Sequence, residues 1–187
     1  LARDPAGAWW VVAQRTQAPS GLGYLLENRL IISRLFPEGF RDLKAQRVAG
    51  TYRALLESLQ ALCPQDAGEP RIVLLTPGPY NETYFEHAYL ARYLGLSLVE
   101  GSDLTVRDQR LYLKTLKGLE RVHGVLKRLD DEFLDPLELR SDSHLGVPGL
   151  LQAVRAGNVL VANAPGSGLL ESTALLGFLP ALSRHLL

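Results

Sequence analysis

Short apolar runs alternate along the second half of this chain with stretches in which apolar residues recur every three or four positions. Ile72 to Thr76 (IVLLT), Leu96 to Glu100 (LSLVE), Val125 to Leu129 and Val159 to Asn163 are of the first kind. Brief, nearly continuous apolar runs predict strands buried on both faces. Glu82 to Leu94, stopped by Gly95, and Leu145 to Ala156 carry helical spacing, and a final helix is predicted to begin near Gly168. Strand, loop, helix, strand is the order of a parallel sheet with crossover helices. Leu104 to Val106 and Arg110 to Leu113 flank Arg107-Asp108-Gln109, which predicts a small hairpin.

The first third differs. Ala8 to Gln14 (AWWVVAQ) is a compact β-type run led by Trp9 and Trp10. A loop rich in Gly, Pro and Ser follows from Arg15 to Gly23, then a helical stretch from Tyr24 to Arg34 that Pro37 and Gly39 interrupt. Val48, Tyr52, Leu55, Leu56, Leu59 and Leu62 place an amphipathic helix within Gln46 to Cys63. Pro64 to Pro70 (PQDAGEP) has linker composition. The expected organisation is a leading segment at 1–63, a linker at 64–70 and an α/β unit at 71–187 with a Rossmann-like, mostly parallel sheet and flanking helices.

Composition narrows the function classes. Lys+Arg and Asp+Glu both number 20, so bulk charge gives no footprint for a nucleic-acid or anionic-membrane partner. One cysteine, Cys63, excludes an internal disulfide and a multi-cysteine zinc site. No apolar run reaches the roughly 20 residues of a membrane span, and no signal peptide opens the chain, so a cytoplasmic location is expected. Methionine is absent throughout, position 1 included. The expectation is therefore a segment of a longer chain.

Ligands of open α/β sheets bind at the carboxyl ends of the strands. Three segments fall there. Thr76-Pro77-Gly78-Pro79-Tyr80-Asn81-Glu82 precedes a helix N-terminus suited to an anion, or is an ordinary turn capped by Asn81. Lys127 to Phe133 (KRLDDEF) clusters two bases with acids. Alternation along a strand puts Arg128 and Asp130 on one side and Lys127 on the other, and Asp131 adds a second acid. Gly166-Ser167-Gly168 follows the last strand but lacks the Gly-Lys-Ser/Thr of a P-loop. Candidate substrate-binding residues are thus Tyr80, Asn81, Arg128, Asp130, Asp131, Gly166, Ser167 and Gly168, with Glu86 on the intervening helix. In the leading segment, Glu27 and Asn28 are oxygen ligands suited to Mg²⁺, and Arg15 and Arg29 are suited to phosphate. His87, His123, His144 and His185 are scattered and show no zinc spacing. No Gly-x-Gly-x-x-Gly follows a strand, which disfavours a dinucleotide-dependent oxidoreductase.

Several long motifs together resemble bacterial circularly permuted ATP-grasp proteins, similar in fold to glutathionylspermidine synthetase-like ligases. They are RTQAPSG (Arg15 to Gly21) with Tyr24 and Glu27-Asn28-Arg29, LLTPGPYNETYFEHAYLARYLG (Leu74 to Gly95), KRLDDEFLDPLELR (Lys127 to Arg140), LGVPGLLQAVRAGNVLVANAPGSG (Leu145 to Gly168) and the terminal FLPAL. The resemblance implies a parent that uses ATP and Mg²⁺ to activate a carboxylate as an acyl phosphate and join it to an amine. It implies that Glu27 and Asn28 correspond to the family's metal-holding Glu-x-Asn element, although adjacent here. It also implies a substrate-binding, pre-ATP-grasp-like role for the unit from Arg71 on, ATP-grasp lobes elsewhere in the parent as the chief partner, and a small-molecule or peptide-like substrate. Where the family pattern runs Asp-Lys-Ala, this chain has Glu171-Ser172-Thr173-Ala174, without the lysine that begins the nucleotide-contacting region. That departure keeps a second expectation open, a non-catalytic binding or scaffold domain on the same fold. No tightly bound cofactor is expected on this segment alone.

Overall fold

The computed structural model describes residues 1–65 and 68–186. Asp66 and Ala67, inside the predicted linker, and Leu187 lie outside the described residues. All four predicted buried strands form one parallel sheet: β3 (Ile72–Leu75), β4 (Ser97–Val99), β8 (Gly124–Lys127) and β9 (Leu160–Ala162), in the order β4-β3-β8-β9. Register pairs Leu74 with Leu98 and Leu126, and Val125 with Val161. Side chains alternate across the sheet. Ile72, Leu74 and Leu126 share one core with Leu90 and Leu94 of α4 (Tyr84–Leu94), Leu26 of α1 (Leu22–Leu35), and Tyr52 and Leu59 of α3 (Ala49–Leu62). Val73, Leu75, Val125 and Val161 face the other core, with Leu150 and Ala153 of α5 (Leu150–Arg155) and Leu111 and Val122 of a second sheet. Covering on both faces is why these strands read as continuous apolar runs. The leading helices complete a core begun by residues after Arg71.

The second sheet is antiparallel, so the fold is mixed α/β. The expected hairpin is present as β5 (Leu104–Arg107) and β6 (Arg110–Thr115), turning on Asp108 and Gln109 at φ 49° and 56°. Two consecutive left-handed residues match the twist of paired strands. A third strand, β7 (Gly118–Val122), extends it into a meander that the sequence did not predict.

Other departures have local causes. Ala8 to Gln14 yields only β2 (Trp9–Trp10), paired with β1 (Ala2–Arg3). The first helix ends at Leu35, just ahead of Pro37, as expected, but Pro37 also starts a new one: α2 (Pro37–Asp42) carries it in the first turn, where its missing N–H costs nothing, and Gly39 lies inside that helix. The helix expected from Leu145 begins only at Leu150, because Gly149 stands before it in the left-handed region at φ 82°. After β9 the chain makes two 3-10 turns, Ser167–Glu171 and Thr173–Gly177, before α6 (Leu179–Leu186). Among the described residues no helix is long and apolar enough to cross a membrane.

Candidate functional site

From β3 the chain passes by α4 to β4 on one side, then returns to β8 on the other side of β3. Loops leaving β3 and β8 therefore diverge, and such a switch point opens a crevice beyond the strand ends. A cavity of about 490 Å³ lies there. Asn81, Thr83 and His87 line it from the β3 side, Arg128, Asp130 and Phe133 from the β8 side, and Arg15, Ala18 and Ser20 from the leading loop. Arg128, Leu129 and Asp130 all line this wall and Lys127 does not; β8 ends at Lys127, so the alternation expected along a strand does not reach the residues that face the cavity.

Each wall is held by contacts distant in sequence. Glu86 is 1 % exposed, and its Oε1 accepts the N–H groups of Gly21 at 3.1 Å and Gly23 at 2.9 Å, which satisfies the open end of α1. Gly23 permits this approach, since a Cβ there would sit 2.7 Å from Glu86 Cγ. Lys127 is wholly buried on the far side; its Nζ donates to the carbonyl oxygens of Gln17 and Leu129. That Nζ also lies 2.8 Å from Asp131 Oδ1, close in distance though not aligned as a hydrogen bond. Glu171 Oε1 accepts the N–H groups of Thr16 at 2.7 Å and Gln17 at 2.9 Å, which, with Arg15, hold its carboxyl below its ordinary pKa. Asp131 Oδ2 accepts the Gly166 N–H at 2.9 Å. The loops after β8 and β9 thus clasp the leading loop against the cavity mouth.

Of the charged groups lining the cavity, Arg128 is the most buried, 4 % exposed. Its Nη1 donates to the Lys127 carbonyl at 3.2 Å, while Nε and Nη2 are buried without a partner among the described residues. Burial pushes the guanidinium below its ordinary pKa, opposed by Glu86, whose Oε2 is likewise unpartnered. A buried cation with unmatched donors favours an anion or ordered water nearby.

His87 sits between two threonines, with Nδ1 3.0 Å from Thr76 Oγ1 and Nε2 3.0 Å from Thr83 Oγ1. Burial lowers its pKa to about 4, with Glu86 raising it and Arg128 lowering it further. Between about pH 4 and the ordinary 6.5, the unfolded chain then binds a proton that the folded chain refuses. Stability should be full above pH 6.5 and fall by up to about 3 kcal/mol as the pH drops through that window. Urea unfolding of wild type and His87→Gln at pH 7 and pH 4.5 measures this. Wild type should lose more on acidification than the variant, and equal losses would mean that His87 is protonated in the fold.

The structure separates the other candidates. Tyr80 is fully exposed and stands outside the cavity lining. Gly166, Ser167 and Gly168 also lie outside it: Gly166 bonds Asp131, Ser167 meets Thr16, and a Cβ on Gly168 would strike Gln17. Glu86 and Asp131, grouped with the substrate residues from sequence, lie outside the cavity lining: one oxygen of Glu86 takes the N–H groups of Gly21 and Gly23 in the leading loop, and one oxygen of Asp131 takes that of Gly166 in the loop after β9. Missed from sequence was Thr83, and the link of His87, near the Tyr80 loop, to it and to Thr76; the signal was there in Thr83 and His87, one helical turn apart after β3.

Neither Mg²⁺ nor ATP fits the described residues by themselves. Glu27 Oε2 accepts the Tyr89 hydroxyl at 2.5 Å, which pushes that phenol's pKa up. Asn28 is exposed and shares with Arg29 a separate surface hollow, where the Arg29 guanidinium lies 6.0 Å from the Phe40 ring centroid. Arg15 lines the main cavity, so the two arginines do not form one phosphate clamp. Among the described residues no group of three or more His, Cys, Asp or Glu could hold a metal ion.

The sequence model of the family described as "Circularly permuted ATP-grasp type 2" matches residues 1–187. An uncharacterised protein of Synechocystis is 44 % identical over 187 residues, covering 100 % of this chain and 39 % of that protein. Two uncharacterised proteins of Mycobacterium tuberculosis are 46 % and 40 % identical over the whole chain, which covers 21 % and 34 % of them. This chain therefore spans about two-fifths or less of the length of these relatives.

Proposed function

The chain belongs to the circularly permuted ATP-grasp type 2 family, and on that premise we propose that it forms the substrate-binding part of a cytoplasmic ATP-dependent ligase that joins a carboxylate to an amine. The observation that carries this is the switch-point cavity with Arg128 buried in its wall. A buried guanidinium with unmatched donors attracts a carboxylate and fixes its direction. The sheet has the character of a Rossmann-like unit, with the leading strand–loop–helix segment folded over its ligand-binding end. ATP and Mg²⁺ are held mainly by parts of the protein beyond these residues, since among the described residues no group of three or more His, Cys, Asp or Glu could hold the metal.

The leading segment supplies the surface for those parts. α1 leaves Tyr24, Leu25, Leu30, Ile31, Ile32 and Leu35 exposed, and Trp9 and Trp10 are exposed as well. So large a set of exposed apolar side chains marks an interaction surface, and the relatives' greater length supplies an occupant in the remaining ATP-grasp lobes. Glu27 and Asn28 lie on this helix and would meet a docked lobe, where missing metal ligands could come from the lobe.

A second reading, a binding domain that has lost the chemistry, is favoured by one observation. Glu171-Ser172-Thr173-Ala174 stands where the family carries a lysine, and Glu171 serves as an acceptor for two backbone N–H groups. The two readings part in one assay. Full-length protein is incubated with Mg²⁺-ATP and pools of carboxylates and amines. The ligase reading expects ADP release that needs both pools. No ADP release with any pool favours the binding domain, and ADP release at the same rate without either pool means hydrolysis uncoupled from ligation and contradicts both readings.

A further inference from the structure

The protons around His87 can be assigned one after another from groups whose donor role is fixed. The Thr83 backbone N–H must donate, and it meets Asn81 Oδ1 at 2.9 Å, so that atom is the amide oxygen. The Thr83 hydroxyl lies 2.6 Å from the same oxygen and gives it its one proton. Thr83 Oγ1 must therefore accept from His87, 3.0 Å away, which places the ring proton on Nε2. A neutral ring then offers Nδ1 as acceptor to the Thr76 hydroxyl at 3.0 Å, and Thr76 Oγ1 in turn accepts the Gly78 N–H at 3.3 Å. Every hydrogen in the chain has one place.

At the end of the chain stands Asn81, in the cavity wall. Its oxygen is taken twice by Thr83, and its Nδ2 has no partner among the described residues. The amide can thus turn only its two N–H donors to a ligand. Arg128 is the nearby buried cation and Arg15 stands at the rim, so donors and positive charge gather on the same volume. Asp130 and Glu82 are the acids at that cavity, and both are exposed.

We propose that Thr76, His87 and Thr83 are positioning residues whose hydroxyl–imidazole–hydroxyl chain locks the Asn81 amide with its N–H groups toward the cavity, making this wall a subsite for the oxyanion end of a ligand. His87 touches no reacting atom; it acts through Thr83 on Asn81. The inference rests on the cavity being a ligand site and on no part of the ATP chemistry, so it is tested without nucleotide. A failed ADP assay leaves it standing, and its own failure leaves the ligase reading standing.

The test uses full-length protein with ¹⁵N in asparagine and histidine. Nitrogen shifts should show His87 neutral with the proton on Nε2 at pH 7. Titration with sodium acetate and with inorganic phosphate should move the Asn81 side-chain amide signals; acetate alone marks a carboxylate subsite, phosphate alone a phosphoryl subsite, and either supports the proposal. Thr83→Ser keeps the hydroxyl and should bind within about twofold of wild type. Thr83→Val leaves only the backbone N–H to orient the Asn81 oxygen and removes the hydroxyl's bond to it, so the amide is held less firmly and affinity should fall about tenfold, the size of one hydrogen bond to a charged group. A His87 proton on Nδ1, Asn81 signals that neither probe moves, or Thr83→Val binding as well as Thr83→Ser would overturn the proposal. The tautomer needs no variant, so it decides even if Thr83→Val fails to fold.

Discussion

Replacing Glu86 by alanine should destabilise the full-length protein by about 3–5 kcal/mol, because two hydrogen bonds from backbone N–H groups to a buried charged acceptor are lost together. Gly21 and Gly23 would be left with unmatched donors at the start of α1, and Gly23 is buried. Arg128 would also lose its nearest interior counter-charge. Glu86→Gln keeps an oxygen for the two N–H groups and should cost less than half as much. Since Glu86 ties the leading loop to α4, the alanine variant should also weaken binding at the cavity even where it remains folded. Chemical denaturation of both variants measures the effect. A loss under about 1 kcal/mol in Glu86→Ala would mean that α1 is held by its apolar contacts alone.

Gly146→Ala should be more disruptive than a methyl group ordinarily is. A Cβ at position 146 would lie 2.0 Å from the Phe133 carbonyl oxygen and 2.4 Å from that of Leu134. Both atoms are backbone, so no rotamer relieves the overlap. The neighbouring Val147 N–H donates to Leu134 O at 2.9 Å, and Ser143 Oγ to Phe133 O at 2.9 Å, which fixes the two strands of chain against each other. Overpacking of this kind costs more than ~3 kcal/mol when the backbone must move. The same segment carries Phe133 and Leu145, which line the cavity, so any protein that folds should bind ligand poorly. Gly39→Ala is the control, because nothing lies within 4 Å of a Cβ there. Equal thermal stability of the two variants would contradict the close approach.

The parallel sheet was legible because its central strands β3 and β8 are buried at every position and their residues say so in a row. The third meander strand was not. Gly118 to Val122 (GLERV) mixes charge with apolar residues, since one side of that sheet is open to water. Pro37 does separate two helices, but that it also opens the second was not legible, because a proline that ends a helix and one in a first turn look alike in sequence. At the site, Arg128, Asp130 and Asn81 were candidates from their places after strands; alternation was no guide, since β8 ends at Lys127 and Leu129 lines the cavity too. The role of Glu86 was illegible in principle: its partners are 63 and 65 residues away in sequence, and only the packing of α1 on α4 brings them together. His87 was legible only as a helix residue near the Tyr80 loop, because a histidine's role is set by which nitrogen carries the proton, and that depends on two threonines and an asparagine at once.

The central claim is that the switch-point cavity binds the carboxylate substrate of a ligase whose nucleotide is held elsewhere. Steady-state kinetics of the full-length protein carrying Arg128→Lys test it most directly, using a carboxylate that supports ADP release. Lysine keeps the charge but loses the planar fork. The account predicts that the KM for the carboxylate rises at least about tenfold while the KM for ATP stays within about twofold. A rise in the KM for ATP with the KM for the carboxylate unchanged would contradict it.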